Sequence, residues 1–296
     1  MWLGLVGVAM FSLTLPFTRL AVAELNPVLV ALGRAVVAAL AAMLLLWRMK
    51  ASWPARQCWV PLAITALGVV IGFPLFSSLA MREVSASHGA VVVGILPLAT
   101  ALVAALRFGE RPSVGFWIAA VAGSAAVVAF ALMQGGGRLH MADLALLAAV
   151  IAAAFGYAEG GRLAQTLGGI QVICWALLLA LPLLLPVSLW LAWQHGMTAS
   201  PRAWLGFGYV SLFSMFAGFF FWYKGLALGG IARVGQVQLL QPFLTLVGAA
   251  FLLGERLEAG HLLFALLVIA LVAIGRRMPV SRTAPHIEIR PSAGRP

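Results

Sequence analysis

The residues able to do chemistry in this sequence are few, and they stand inside long apolar runs. Gln236, Gln238 and Gln241 precede Pro242 in the run Ile231–Leu253. Gln238 and Gln241 are three apart and share a helical face. Proline removes a backbone donor, which frees the Gln238 carbonyl four residues back. Amides beside a helix break can hold the polar part of a solute; alternatively they bond neighbouring helices. His88 and Arg233 stand 145 positions apart. They would lie at equivalent depths near opposite faces and flank a central site, unless His88 only bonds a carbonyl at a helix end. His88 also has the chemistry of a pH sensor.

Glu159 is followed by Arg162, a spacing that permits an ion pair on one helical face. The pair is structural, or Glu159 relays protons. Tyr157, two residues before Glu159, falls on nearly the opposite side of the helix. Ser12, Thr14, Ser77 and Ser78 offer hydroxyls that reach a solute or bond back to their own helix. Phe73, Phe155, Trp175, Phe219, Trp222 and Tyr223 can stack on a flat solute or pack. Arg34 lies about 10 Å below the outer end of its span by helical rise. It snorkels outward or needs an interior partner.

Other chemistries lack their residues. No Walker-type glycine loop, paired carboxylates within a span or His-Glu metal motif occurs. Cys58 and Cys174 have no metal-ligand spacing and read as small apolar packers. No cofactor and no metal is expected. A membrane-embedded enzyme or lipid-handling scaffold would need titratable groups clustered at one interface, and no such cluster is visible.

The elements that must position these residues are membrane spans. The 296 residues are 63% hydrophobic and only 9% charged, more apolar surface than a water-soluble chain of this length can hide. The net charge of +11 comes from arginines set singly between apolar runs, as membrane-edge anchors and not a nucleic-acid patch. A helix needs about 20 apolar residues to cross a bilayer. Ten stretches qualify: Trp2–Thr18, Pro27–Trp47, Gln57–Met81, Val84–Leu106, Pro112–Met133, Leu144–Ala164, Ile170–Trp193, Ala203–Tyr223, Ile231–Leu253 and the shorter His261–Ile274. The first is read as a retained span, since no basic n-region precedes it.

One stretch occurs twice. Pro97, Thr100, Ala104, Ala105 and Gly109-Glu110-Arg111 recur as Pro242, Thr245, Ala249, Ala250 and Gly254-Glu255-Arg256, each pair 145 positions apart. The chain is two copies of one module. Residues 1–134 form the first five-helix repeat, 135–277 the second, and 278–296 a basic tail expected to be disordered. Five is odd, so the second copy must lie inverted in the membrane: an all-α integral membrane protein of ten helices in two inverted repeats. With the N-terminus cytoplasmic, thirteen basic residues fall inside and five outside, which places both termini in the cytoplasm. The paired Gly-Glu-Arg turns read as structural markers.

Ten spans from a five-helix duplication, with proline in the fourth and ninth and a Gly-Glu-Arg turn after each, resemble the drug/metabolite transporter superfamily, and within it the EamA-type exporters. The resemblance runs from Trp2 to Arg277, and Phe11 and Phe17 ahead of Arg19 also fit. It implies a bacterial inner-membrane carrier of small metabolites working by alternating access, with exporters of amino acids, aromatic ones included, as nearest relatives. Partners would be a small-molecule solute and membrane lipids, for a monomer or homodimer. Gln236, Gln238, Gln241, His88, Tyr157, Ser77, Ser78, Thr14, Ser12, Phe73 and Trp222 are the candidate solute contacts. Glu159, Arg233, Pro97 and Pro242 are candidates for coupling or gating.

Overall fold

The computed structural model describes residues 2–108, 110–134, 140–229, 236–277 and 280–282. Its apolar runs form helices because a bilayer leaves backbone groups no partner outside their own segment. Seven are long and apolar enough to cross a membrane: α1 (Trp2–Val22), α2 (Pro27–Arg48), α3 (Arg56–Glu83), α4 (Ala86–Arg107), α6 (Met141–Leu167), α7 (Gly169–His195) and α8 (Pro201–Leu228). Three apolar helices complete the bundle: α5 (Val114–Gln134), α9 (Val237–Leu253) and α10 (Ala259–Arg277). Asn26 caps α2 by accepting from the Val28 and Leu29 amides, with Pro27 in the first turn. Ser85 and Ser200 cap α4 and α8 in the same way.

Helix α1 is interrupted at Leu13, and four further irregular helices fall into pairs. Helix α4 breaks after Val93 and restarts at Leu96, with Pro97 in the new first turn. A 3-10 stretch, Gln236–Leu240, leads into helix α9, which becomes α-helical at Gln241 with Pro242 in its first turn. Helix α3 is π-helical over Ala66–Gly72 and α8 over Val210–Ala217. The π stretches occupy positions equivalent under the 145-residue offset, as the prolines do.

Packing follows the same exchange. Helix α2 packs on α7, α4 on α9 and α5 on α10, while α1 lies against α8 and α3 against α6. Swapping each helix of the first five for its counterpart in the second five returns these same five pairs. The α3–α6 seam is tight because glycines face each other: a Cβ on Gly68 would stand 2.7 Å from the Gly156 nitrogen. Small residues let backbones approach where no water drives helices together. The Gly-Glu turn after α9 uses Gly254 at φ +68°, a left-handed conformation that favours glycine.

One expectation needs correcting. Three residues of the basic tail, Val280–Arg282, pair antiparallel with Glu110–Pro112 after α4, as β2 on β1. The extended Glu110–Pro112 segment offers an edge that the tail backbone completes.

Candidate functional site

The two broken helices meet at their breaks. A Cβ on Gly94 would lie 3.2 Å from Pro242 Cγ, a tight contact that the glycine avoids. Pro97, Pro242, Gln238, Gln241 and Thr245 line one small cavity there, of about 10 Å³. A second, of about 20 Å³, shares Leu15 and Gln241 with it. Its walls are Phe11, Thr14 and Leu15 of α1, Arg34 of α2, Val69 and Phe73 of α3, Ala153 and Tyr157 of α6, Ser214 and Phe219 of α8, and Gln241 of α9. Both π-helical stretches thus reach the cavity, through Val69 and Ser214. π-Helical turns often mark functional sites. The second cavity has room for about one water. The open pocket expected for a solute is therefore closed down in this conformation, because aromatic rings from four helices fill it.

The chemistry of the cavity is uneven. Arg34 is buried, and its Nε and Nη1 have no hydrogen-bond partner among the described residues. Thr14 Oγ1 and Ser214 Oγ share a 2.8 Å hydrogen bond across α1 and α8. Gln241 Oε1 and Gln238 Nε2 are buried and also unpartnered. No carboxylate lines either cavity among the described residues. Phe11, Phe219 and Tyr157 form one ring cluster, with Phe11 and Phe219 centroids 4.9 Å apart.

The residues singled out by sequence divide accordingly. Thr14, Phe73, Tyr157, Gln238, Gln241, Pro97 and Pro242 line the paired cavities. Ser12 bonds back to the Val8 carbonyl, and Ser77 to that of Pro74. Ser78 is buried without a partner among the described residues, away from the cavity walls. Trp222 packs behind the cavity against Phe11 and Tyr157. The backbone of Gln236 belongs to the 3-10 stretch, while Arg233 lies outside the described residues.

Two pairings differ from expectation. Glu159 does not pair with its near neighbour Arg162. It accepts a 2.6 Å hydrogen bond from Arg107 Nε at the end of α4, while Arg162 sits over the Phe108 ring. The α4–α6 contact brings Arg107 closer than the helical turn brings Arg162. His88 does not flank the cavity: its Nε2 lies 2.6 Å from Asp143 Oδ1, joining α4 to the start of α6. Asp143 also accepts from the His140 amide, so it caps its own helix as it holds the histidine.

The Gly-Glu-Arg turn does more than mark a repeat. Glu255 accepts from the Ala86 and Ser87 amides at 2.8 and 2.9 Å and from Ser87 Oγ at 2.7 Å. Arg19 lies 3.7 Å from Glu255 and donates to the Met81 and Val84 carbonyls. Here α1, α4 and the end of α9 are tied together at one end of the bundle. At the other end the Arg107–Glu159 pair ties α4 to α6. Sequence reasoning missed Ser214, Phe11 and Arg34 as cavity walls and Asp143 as a partner. The signal for Ser214 was a hydroxyl inside an apolar run, the same signal that singled out Thr14.

These features define a class: a multi-pass helical membrane protein with a largely apolar cavity, carrying a few polar groups, where irregular helices meet. The chain belongs to the EamA-like transporter family, whose model matches residues 1–132 and again 140–274. It is 46% identical over 274 residues to "Uncharacterized transporter YdeK" of Bacillus subtilis (strain 168), covering 93% of this chain and 96% of that protein. A solved structure titled "Crystal structure of protein" shares the fold, with TM-score 0.63 at 17% identity over 93% of this chain and 96% of that one.

Proposed function

We propose that this transporter exports small metabolites, amino acids including aromatic ones, across the bacterial inner membrane by alternating access, with both termini cytoplasmic. The observation that carries this reading is the cavity at the Pro97–Pro242 crossing, walled by both halves of the chain. The two five-helix halves, 1–134 and 135–277, are inverted copies that rock about that crossing. Support comes from the exchange symmetry of the packing, from equivalent π-helical and proline breaks, and from a family model that matches twice. Helices broken at mid-membrane are the usual site of solute binding in carriers built from inverted repeats. Aromatic walls suit an apolar side chain, and hydroxyls with amides suit a polar backbone. The drive is facilitated diffusion, because the described carboxylates in the membrane, Asp143 and Glu159, are hydrogen-bonded to His88 and Arg107 outside the cavity.

The test is reconstitution of the full chain in liposomes and uptake of labelled aromatic and aliphatic amino acids, with and without a pH gradient. Saturable uptake that ignores the gradient is expected. Uptake only of other metabolites or drugs would keep the family role and discard the substrate.

A further inference from the structure

We infer that Arg34 and Gln241 are the two poles of a site for an α-amino acid: Arg34 takes the carboxylate and Gln241 the ammonium group. The inference rests on the transporter reading above and adds the recognition chemistry. Arg34 is buried at membrane depth, and two of its nitrogens have no protein partner among the described residues. A buried charge without a counter-ion is strongly unfavourable, so a side chain kept in that state is one that meets its partner in another form of the protein. Arginine's planar fork matches a carboxylate, and the interaction strengthens where water is excluded.

The cavity also displays the opposite polarity. Gln241 Oε1 is a buried acceptor without a donor among the described residues, and the Thr14–Ser214 hydroxyl pair also lines the cavity. An ammonium group brings three donors and no acceptor. It fits a carboxamide oxygen, two hydroxyls and nearby ring faces, with no carboxylate needed. The rings of Phe11, Phe73, Tyr157 and Phe219 enclose what remains, so the side chain of the solute is apolar or aromatic. One cation without a fixed anion selects against cationic solutes. It also leaves the second charge of a dianion without a partner.

The test compares phenylalanine with phenethylamine, which lacks the carboxylate, and 3-phenylpropionate, which lacks the amine. Counterflow is measured in liposomes holding the full chain, alongside thermal stabilisation of the detergent-solubilised protein by each compound. Wild-type protein should exchange phenylalanine at least about tenfold faster than phenethylamine, because a site built to bind a group rejects an analogue without it. Arg34→Gln should remove that preference, and Arg34→Lys should retain part of it. Gln241→Leu should weaken phenylalanine exchange and leave 3-phenylpropionate unchanged. Equal wild-type exchange of phenethylamine and phenylalanine, or an undiminished preference in Arg34→Gln, overturns the inference while transport itself stands. Folded wild-type protein that neither moves nor is stabilised by any of the three overturns both the inference and the aromatic amino-acid substrate it rests on. If Arg34→Gln fails to fold, the wild-type analogue series and Arg34→Lys still decide.

Discussion

Pro97 and Pro242 line one cavity although 145 residues separate them in the chain. Each stands in the first turn of a restarted helix, where its missing N–H has no helical acceptor to lose. Neither proline is therefore a defect carried at the expense of stability, and the rocking proposed above gives both a mechanical role to test. Pro97→Ala and Pro242→Ala should each leave stability within about 1 kcal/mol, since first-turn proline is tolerated. Both should slow transport several-fold by letting the helices close through the break. Chemical denaturation beside liposome uptake checks the split. A large stability loss with unchanged transport per folded molecule would contradict it.

The Arg107–Glu159 pair is asymmetric: the Arg107 side chain is 45% exposed and that of Glu159 only 5%. Removing the arginine strands a buried carboxylate, whereas removing the carboxylate frees a cation that reaches the surface. Arg107→Ala should therefore destabilise by about 3 kcal/mol and Glu159→Gln by about 1 kcal/mol. Arg162→Ala should have less effect than either. Melting temperatures of the three solubilised variants rank them.

The glycine seam between α3 and α6 sets a steric prediction. A Cβ on Gly156 would stand 3.0 Å from the Val69 backbone nitrogen, and one on Gly68 would meet α6 backbone more closely still. The closest contact at Gly156 is the Val69 side chain, at 2.5 Å, whereas every close contact at Gly68 is with backbone that cannot swing away. Gly68→Ala should cost about 2 kcal/mol or more and shift the cavity wall at Val69 and Phe73. Gly196→Ala, with open space around it but φ +71°, should cost about 1 kcal/mol through backbone strain alone. Folded yield and denaturation midpoints distinguish the two.

Acid should loosen one surface tie. Ser200 donates to Glu24 through its hydroxyl and its backbone N–H, both at 2.6 Å. These bonds, side chain first, hold the Glu24 carboxyl below its ordinary 4.5. A depressed carboxylate adds stability above its unfolded pKa and loses it as pH falls through the folded value. Wild type should thus melt slightly above Glu24→Gln at neutral pH, with the gap closing below about pH 4. The carboxylate is exposed, so the gap is small. A gap that grows on acidification would reverse the sign and reject the assignment.

The fold was more legible than the site. Charges at the ends of apolar runs drew the spans to within a few residues, because desolvation forbids them mid-membrane. The Pro97 and Pro242 breaks could be read because proline's geometry is local. Partnerships were not local. Arg162, one turn from Glu159, looked like its partner, yet packing brought Arg107 from 52 positions away. Asp143 stood at the edge of a run and gave no sign of reaching His88 on another helix. Arg34 was visible as a charge at depth, but its lack of a partner is a property of the helices around it. The π-helical stretches leave no mark in residue type, since apolar residues fit either helix.

The central claim is that a closed cavity at the helix crossing opens to each side of the membrane in turn. Ser214→Cys in a chain with Cys58→Ala and Cys174→Ala puts a thiol in the cavity wall. Sealed vesicles are treated with a membrane-impermeant thiol reagent outside or trapped inside, with and without phenylalanine. The account predicts slow labelling from both sides, with phenylalanine protecting the thiol. A thiol that no reagent reaches from either side, in protein that still transports, would contradict it.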